Sequence, residues 1–248
     1  REITHQSVYL KFPLLDRENE SLLVWTTTPW TLAANVSAAV HPELTYVRAR
    51  RGDEVFYLAK AALSALHGEV EVEAELPGSE LIGLTYSGPF DELAAQDGVV
   101  HRVIEWDEVA GDEGTGIVHI APGGGHDDFL LGKKYDLPVL APLNEFGHYV
   151  EGYGELEGQF AGDVAPTVFD SLKKKSVMER VEPITHRYPV CWRCDSELVF
   201  RVVDEWFISM DELRHDMMEI TRRINWVPAF GMERELDWLR NMDDWMIS

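Results

Sequence analysis

Positive charge is in short supply in this 248-residue chain: 22 Lys and Arg stand against 44 Asp and Glu, for a formal net charge of −22 at pH 7. Phosphate contacts need clustered Lys and Arg, so the balance weighs against a simple nucleic-acid-binding module. The basic clusters are small. Arg48, Arg50 and Arg51 fall on a predicted hairpin, and Lys173, Lys174 and Lys175 close a predicted helix. A solvated hairpin edge and a helix C-terminus pairing with its dipole account for both. Cysteine is scarce too, because Cys191 and Cys194 alone cannot make a disulfide framework. No apolar run approaches the roughly 18 residues of a membrane helix, and nothing at the start resembles a signal peptide. A cytoplasmic protein without a membrane partner is expected. The chain starts at Arg1 without a methionine, and we read it as a piece of a longer protein.

Alternating apolar and polar residues predict strands at Ser7–Phe12, Leu22–Thr26, Tyr46–Arg50, Val55–Leu58, Val70–Ala74 and Val99–Ile104. Helical spacing appears at Ala59–Leu66, Asp127–Tyr135, Val164–Lys174, Asp211–Ile224 and Glu233–Met242. Strands dominate the first half and helices the end. This order predicts a mainly β, α+β fold with a barrel-like core and peripheral helices, not a doubly wound repeat. A domain boundary is expected near Pro183–Pro189, dividing residues 1–185 from residues 186–248. Beyond it, Trp206, Trp226, Trp238 and Trp245 are expected to serve as core or docking residues.

Two segments carry the chemistry. Trp25–Leu32 reads WTTTPWTL, which crowds four threonine hydroxyls and two indoles into eight residues. A nucleophile needs one hydroxyl and a base, whereas several hydroxyls on a proline-punctuated segment suit a polar substrate and a water. A strand running into a turn explains the same string without any chemistry. Residues 114–128 read GTGIVHIAPGGGHDD. Gly114 and Gly116 bracket a turn, Ile117–Ile120 form a short buried strand, and Asp127 and Asp128 open a helix. His119 on that strand is compatible with a general base, a metal ligand or a wall residue.

Together these segments resemble the editing (connective polypeptide 1) domain of class I isoleucyl-tRNA synthetases, and the resemblance covers essentially the whole chain. Valyl and leucyl relatives usually carry arginine where Thr28 precedes Pro29. A third element, YPVCWRC at Tyr188–Cys194, resembles the stretch by which the isoleucyl enzyme's chain leaves the editing domain. The resemblance implies hydrolysis of valine from mischarged tRNA(Ile), and of valyl-adenylate, by water attack without a covalent intermediate. It places Thr26, Thr27 and Thr28 around the ester, the water and the terminal ribose, with Asp128 holding the α-ammonium group and Asp127 as a variable neighbour. His119 would wall the amino-acid pocket, supported by Thr31 and Asn35, while Trp25 and Trp30 would stiffen the loop. Some relatives carry a bulkier residue at Gly124, so the pocket rim here is expected to be more open. The HIGH-like and KMSKS-like motifs are missing, so amino-acid activation is not expected of this piece.

The partners implied are the tRNA 3′ end and the rest of the synthetase in cis, with a monomer expected. Editing itself would need no cofactor. Cys191 and Cys194 make one CxxC, half of a four-ligand zinc site that some relatives complete elsewhere. Two other readings stand beside the editing hydrolase: a binding-only module for the charged tRNA end, and a metal-dependent hydrolase built on His119, His126, Asp127 and Asp128. A phosphate cradle at Gly123–Gly125 is disfavoured, because no P-loop Lys or Ser follows.

Overall fold

Apolar side chains on alternate positions of Glu2–Pro13 bury Val8, Leu10 and Phe12 on one face of the first strand, β1. The structure, a computed structural model, describes residues 1–247. Among them the further strands are β2 (Glu20–Thr26), β3 (Ser37–Val40), β4 (Thr45–Arg51), β5 (Glu54–Ala59), β6 (Glu71–Pro77), β7 (Arg102–Glu105), β8 (Val118–Ile120), β9 (Met178–Arg187), β10 (Phe207–Ile208) and β11 (Trp245–Met246). The α-helices are α1 (His126–Tyr135), α2 (Ala165–Lys174), α3 (Met210–Arg223) and α4 (Gly231–Asn241).

Two sheets make the body of the fold. The larger runs β6-β4-β5-β2-β1-β9, antiparallel throughout except for the parallel pair β2 and β5. The smaller runs β7-β3-β8, with β3 parallel to β7 and antiparallel to β8. Isolated bridges at Leu14–Tyr86 and Thr85–Arg102 make residues 85 and 86 a seam between the sheets. The expected α+β class therefore holds, and the barrel-like core is two sheets joined at a seam without closing into one ring. Side chains from both sheets, from a 3-10 helix at Pro29–Ala34 and from α2 share one apolar cluster that includes Phe12, Val24, Trp30, Leu32, Ala38, Tyr86, Ile117 and Val168.

Several expectations shift. The segment expected as a helix at Ala59–Leu66 is a 3-10 helix at Lys60–Ala65. Neither β3 nor β9 was expected; β3 is built of SAAV, whose small residues show no alternation. Strand β9 occupies the region expected to hold the boundary, and pairs with β1 from Glu2–Arg187 to Leu10–Met178. The chain divides instead into units Arg1–Val202 and Val203–Ser248. In the second unit, Met210, Leu239 and Met242 form the core. Trp206, Trp238 and Trp245 are each at least half exposed, so they are not core residues, whereas Trp226 donates its indole N–H to the Thr221 carbonyl.

Charge pairing accounts for the arginine cluster. Arg48 meets Glu20 and Glu73, Arg50 meets Glu73, and Arg51 meets Glu54 and Glu179. The guanidinium groups thus close the sheet's own acid pairs, and Glu20 is held below the usual carboxylate range by Arg48 and Tyr57 despite its desolvation.

The turn before β8 is locked by its glycines. Gly116 lies at φ +68°, and a Cβ there would sit 2.3 Å from the Ala59 Cβ. Gly116→Ala should therefore lower the unfolding free energy by about 2–4 kcal/mol, from left-handed backbone strain plus overpacking. Urea unfolding checks this, and a loss under about 0.5 kcal/mol would show that the turn yields freely.

Candidate functional site

Strand β2 ends at Thr26, whose Oγ1 accepts the Thr28 backbone N–H at 3.0 Å and turns the chain. Pro29 then occupies the first turn of the 3-10 helix, where a missing N–H costs nothing. Thr31, two residues on, donates its hydroxyl proton to the Thr28 carbonyl at 2.8 Å. The same Oγ1 lies 2.7 Å from His119 Nε2 on β8, a contact spanning 88 residues of sequence. His119 Nδ1 faces Asn35 Nδ2 at 3.4 Å. Burial pushes the imidazole down to about 4, so His119 is neutral at ordinary pH. With both nitrogens engaged and no charge, it is a poor general base.

The loop after β8 holds the acid at its own backbone. Asp128 Oδ2, in the first turn of α1, accepts the Ala121 N–H at 3.1 Å. A side chain on Gly124 would press on the Thr31 methyl at 2.8 Å, and one on Gly125 would meet Asp128 Oδ2 at 3.1 Å. The loop glycines thus touch both the threonine segment and the acid. Desolvation raises the Asp128 carboxyl to about 6, opposed by the Ala121 N–H and reinforced by the neighbouring Asp127. Asp127 itself is exposed. An N-terminal helix position ordinarily favours a carboxylate; here burial outweighs it.

Thr26 is buried, while Thr27 and Thr28 are partly open. Thr27 and Thr28 also line a cavity of about 540 Å³, with Trp30 beside them and His5, Tyr188 and Glu197 opposite. Neither His119 nor Asp128 lines this cavity. Trp30 is 7% exposed, and its carbonyl accepts the Tyr149 hydroxyl. Trp25 rests against Gly114, where a Cβ would come within 2.4 Å of the indole. Both indoles therefore pack and stiffen the loop, as the sequence suggests.

Sequence reasoning passed over three tyrosines and a histidine that complete this neighbourhood. Tyr86 donates to Asn35 Oδ1 at 2.8 Å, Tyr149 holds the Trp30 carbonyl, and His5 and Tyr188 line the cavity. Tyr188 opens the YPVCWRC element but no site role is read from it there, and no motif or spacing marks Tyr86, Tyr149 and His5, because each arrives from a distant strand or loop.

The candidate metal ligands do not assemble. Among the described residues no group of three or more His, Cys, Asp or Glu is placed to hold an ion. Cys191 and Cys194 are unbridged, and Cys194 Sγ lies 3.0 Å from Ser196 Oγ in a tight turn with Asp195 at φ 59°. The two thiols remain half of a tetrahedral set. An isolated bridge, Val190–Glu197, flanks this turn.

The two-sheet core has counterparts among solved structures. The crystal structure of GlLeuRS-CP1 has the same fold, with TM-score 0.56 and 17% identity over 73% of this chain and 99% of that one. The editing domain of the P. knowlesi cytosolic leucyl-tRNA synthetase is similar at TM-score 0.53 and 11% identity, over 72% and 97%. The family model for class I tRNA synthetases (I, L, M and V) matches residues 18–248, and the chain belongs to that family. Within it, the chain is 41% identical over 245 residues to the isoleucine–tRNA ligase of Methanothermobacter marburgensis, covering 98% of this chain and 23% of that protein. Against the isoleucine–tRNA ligase of Pyrococcus furiosus it is 40% identical over 258 residues, covering 98% and 24%. The chain therefore spans about a quarter of the length of these relatives.

The raised Asp128 carboxyl makes a pH prediction. Between its ordinary value of 3.8 and about 6, the folded protein binds more protons at this position than the unfolded chain does. Stability contributed here is thus present at low pH and lost as pH rises through about 6. Asp128→Asn removes this loss, so its stability advantage over the wild type should be larger at pH 7.5 than at pH 4 in paired urea titrations. An advantage that stays constant with pH would refute the buried-carboxylate assignment.

Proposed function

We propose that the chain is the proofreading module of an isoleucyl-tRNA synthetase, removing valine or a similarly small noncognate residue from tRNA(Ile) and from the corresponding adenylate. The observation that carries this reading is the contact of Thr31 with His119 across 88 residues of sequence, with Gly124 beside Thr31 and Asp128 bonded to the Ala121 N–H of the same loop. Asp128 receives the α-ammonium group, whose charge favours the carboxylate form that desolvation disfavours. His119 sets the size limit. Isoleucyl enzymes are the standard illustration that one methylene is worth only about 1–3 kcal/mol, too little for accurate selection in a single step.

Among the described residues the hydroxyls of Thr27 and Thr28 have no protein hydrogen-bond partner, which leaves them open to the ester, the ribose and the water. The water attacks directly, with the substrate's own ribose hydroxyl assisting, and no covalent intermediate forms. The tRNA 3′ end is the partner, and the remainder of a synthetase supplies most of the affinity for its backbone. Editing takes no cofactor, and any zinc at Cys191 and Cys194 is structural and needs ligands from beyond them. The protein works as a monomer in the cytoplasm.

Timed release of valine from valyl-tRNA(Ile) tests the reading directly, since a binding-only module would hold the tRNA end without releasing valine. Asp128→Ala should abolish release, because losing a charge-assisted contact to a desolvated ammonium costs about 2–5 kcal/mol, whereas Asp127→Ala should change little. Equal losses from both, with circular dichroism unchanged, would overturn the assignment. In His119→Ala, isoleucine release from correctly charged tRNA should rise while valine release persists. A general-base role predicts that both rates fall together, by roughly 10²–10⁴-fold.

A further inference from the structure

His119 can serve as a wall only if its ring is held in one orientation, and the hydrogen bonds around it specify which. Thr31 Oγ1 carries a single proton and donates it to the Thr28 carbonyl. The 2.7 Å contact from that oxygen to His119 Nε2 must then use the proton on nitrogen, leaving Nδ1 as an acceptor toward Asn35. This requires the amide nitrogen of Asn35, and not its oxygen, to face the ring. Two groups fix the amide that way round. Asn35 Nδ2 donates one proton to the Ser37 carbonyl at 2.8 Å, an acceptor only, and its second proton is shared between His119 Nδ1 and the Ile120 carbonyl, each at 3.4 Å. From the other side, Tyr86 donates its phenol proton to Asn35 Oδ1 at 2.8 Å.

Tyr86 is well suited to that task. Its side chain is fully buried and stacked on Phe12 at 4.7 Å with an interplanar angle of 8°, on the seam that bridges the two sheets. Burial holds the phenol well above its ordinary range, so it remains a donor at any working pH.

We propose that Tyr86 is a positioning residue for substrate selection: acting through Asn35, it holds His119 in the Nε2–H tautomer with the ring set against Thr31, and thereby fixes the size limit of the pocket. The selection half of this statement rests on the proofreading function proposed above; the tautomer half does not. Tyr86→Phe keeps the ring and its stack while deleting the donor.

Two measurements on the same variant test it. In nitrogen-15 spectra of histidine-labelled protein, the wild type should show His119 as a pure Nε2–H tautomer, and Tyr86→Phe should show a mixture. The ratio of valine to isoleucine release should fall roughly 2–12-fold, the factor that one neutral hydrogen bond is worth. A purely structural role would slow both releases equally and leave the tautomer alone. Asn35→Asp is the second variant, useful where Tyr86→Phe folds poorly. It presents Nδ1 with an acceptor in place of a donor, and should switch His119 to the Nδ1–H or doubly protonated form. Folded Tyr86→Phe with an unchanged tautomer and ratio, or Asn35→Asp with the wild-type tautomer, would overturn the proposal. Failure of the wild type to release valine would instead sink the proofreading function, while the spectra still decide whether Tyr86 positions the ring.

Discussion

A neutral imidazole buried between sheet and loop must have both nitrogens satisfied, because an unpaired buried polar group costs about as much as a typical mutation that damages a fold. His119 meets this condition with partners from two other places, Thr31 and Asn35. Thr31 reaches it because Thr26 ends β2 with a side-chain-capped turn and Pro29 starts a tight 3-10 helix. Asn35 reaches it from the end of that helix, just ahead of β3, which pairs with the histidine's own strand. The glycine-bracketed turn at residues 114–116 sets where β8 begins, and the following loop delivers Asp128 to the Ala121 N–H. Satisfying one ring thus ties the segment from Thr26 to Asn35 to strand β8.

The acid excess takes on a different meaning beside this geometry. Arg48, Arg50 and Arg51 are spent on Glu20, Glu73, Glu54 and Glu179 within the larger sheet. A nucleic acid approaching this surface meets few free cations, so backbone affinity has to come from elsewhere. What the chain offers in exchange is a carboxylate whose protonation answers to burial, and hydroxyls left without protein partners.

Long alternating strands and the two motif segments were legible because their patterns are local. Helix α1 follows its glycine-rich loop as read, and the Trp25 and Trp30 indoles pack as expected. Strand β3 was invisible because Ser, Ala and Val present no contrast between faces, and β9 because Pro183 within it reads as a break. The helix expected from residue 59 tightens to 3-10 over a single short segment. Tyr86, Tyr149 and the His5 wall of the cavity were beyond reach for another reason: their roles exist only through pairings between remote strands, and sequence spacing holds no trace of those.

Strands β1 and β9 run antiparallel with Glu2 opposite Arg187, so everything between them leaves and returns through one doorway. A polypeptide looped out in this way can be grafted into a host domain at a single point, because the host sees two strand ends a few ångströms apart and its own connectivity is undisturbed. The looped-out body is also borne on a two-stranded ribbon. His5 on that ribbon lines the cavity shared with Thr27 and Thr28, so twisting the ribbon would reshape the cavity while leaving the contact between Thr31 and His119 as it is.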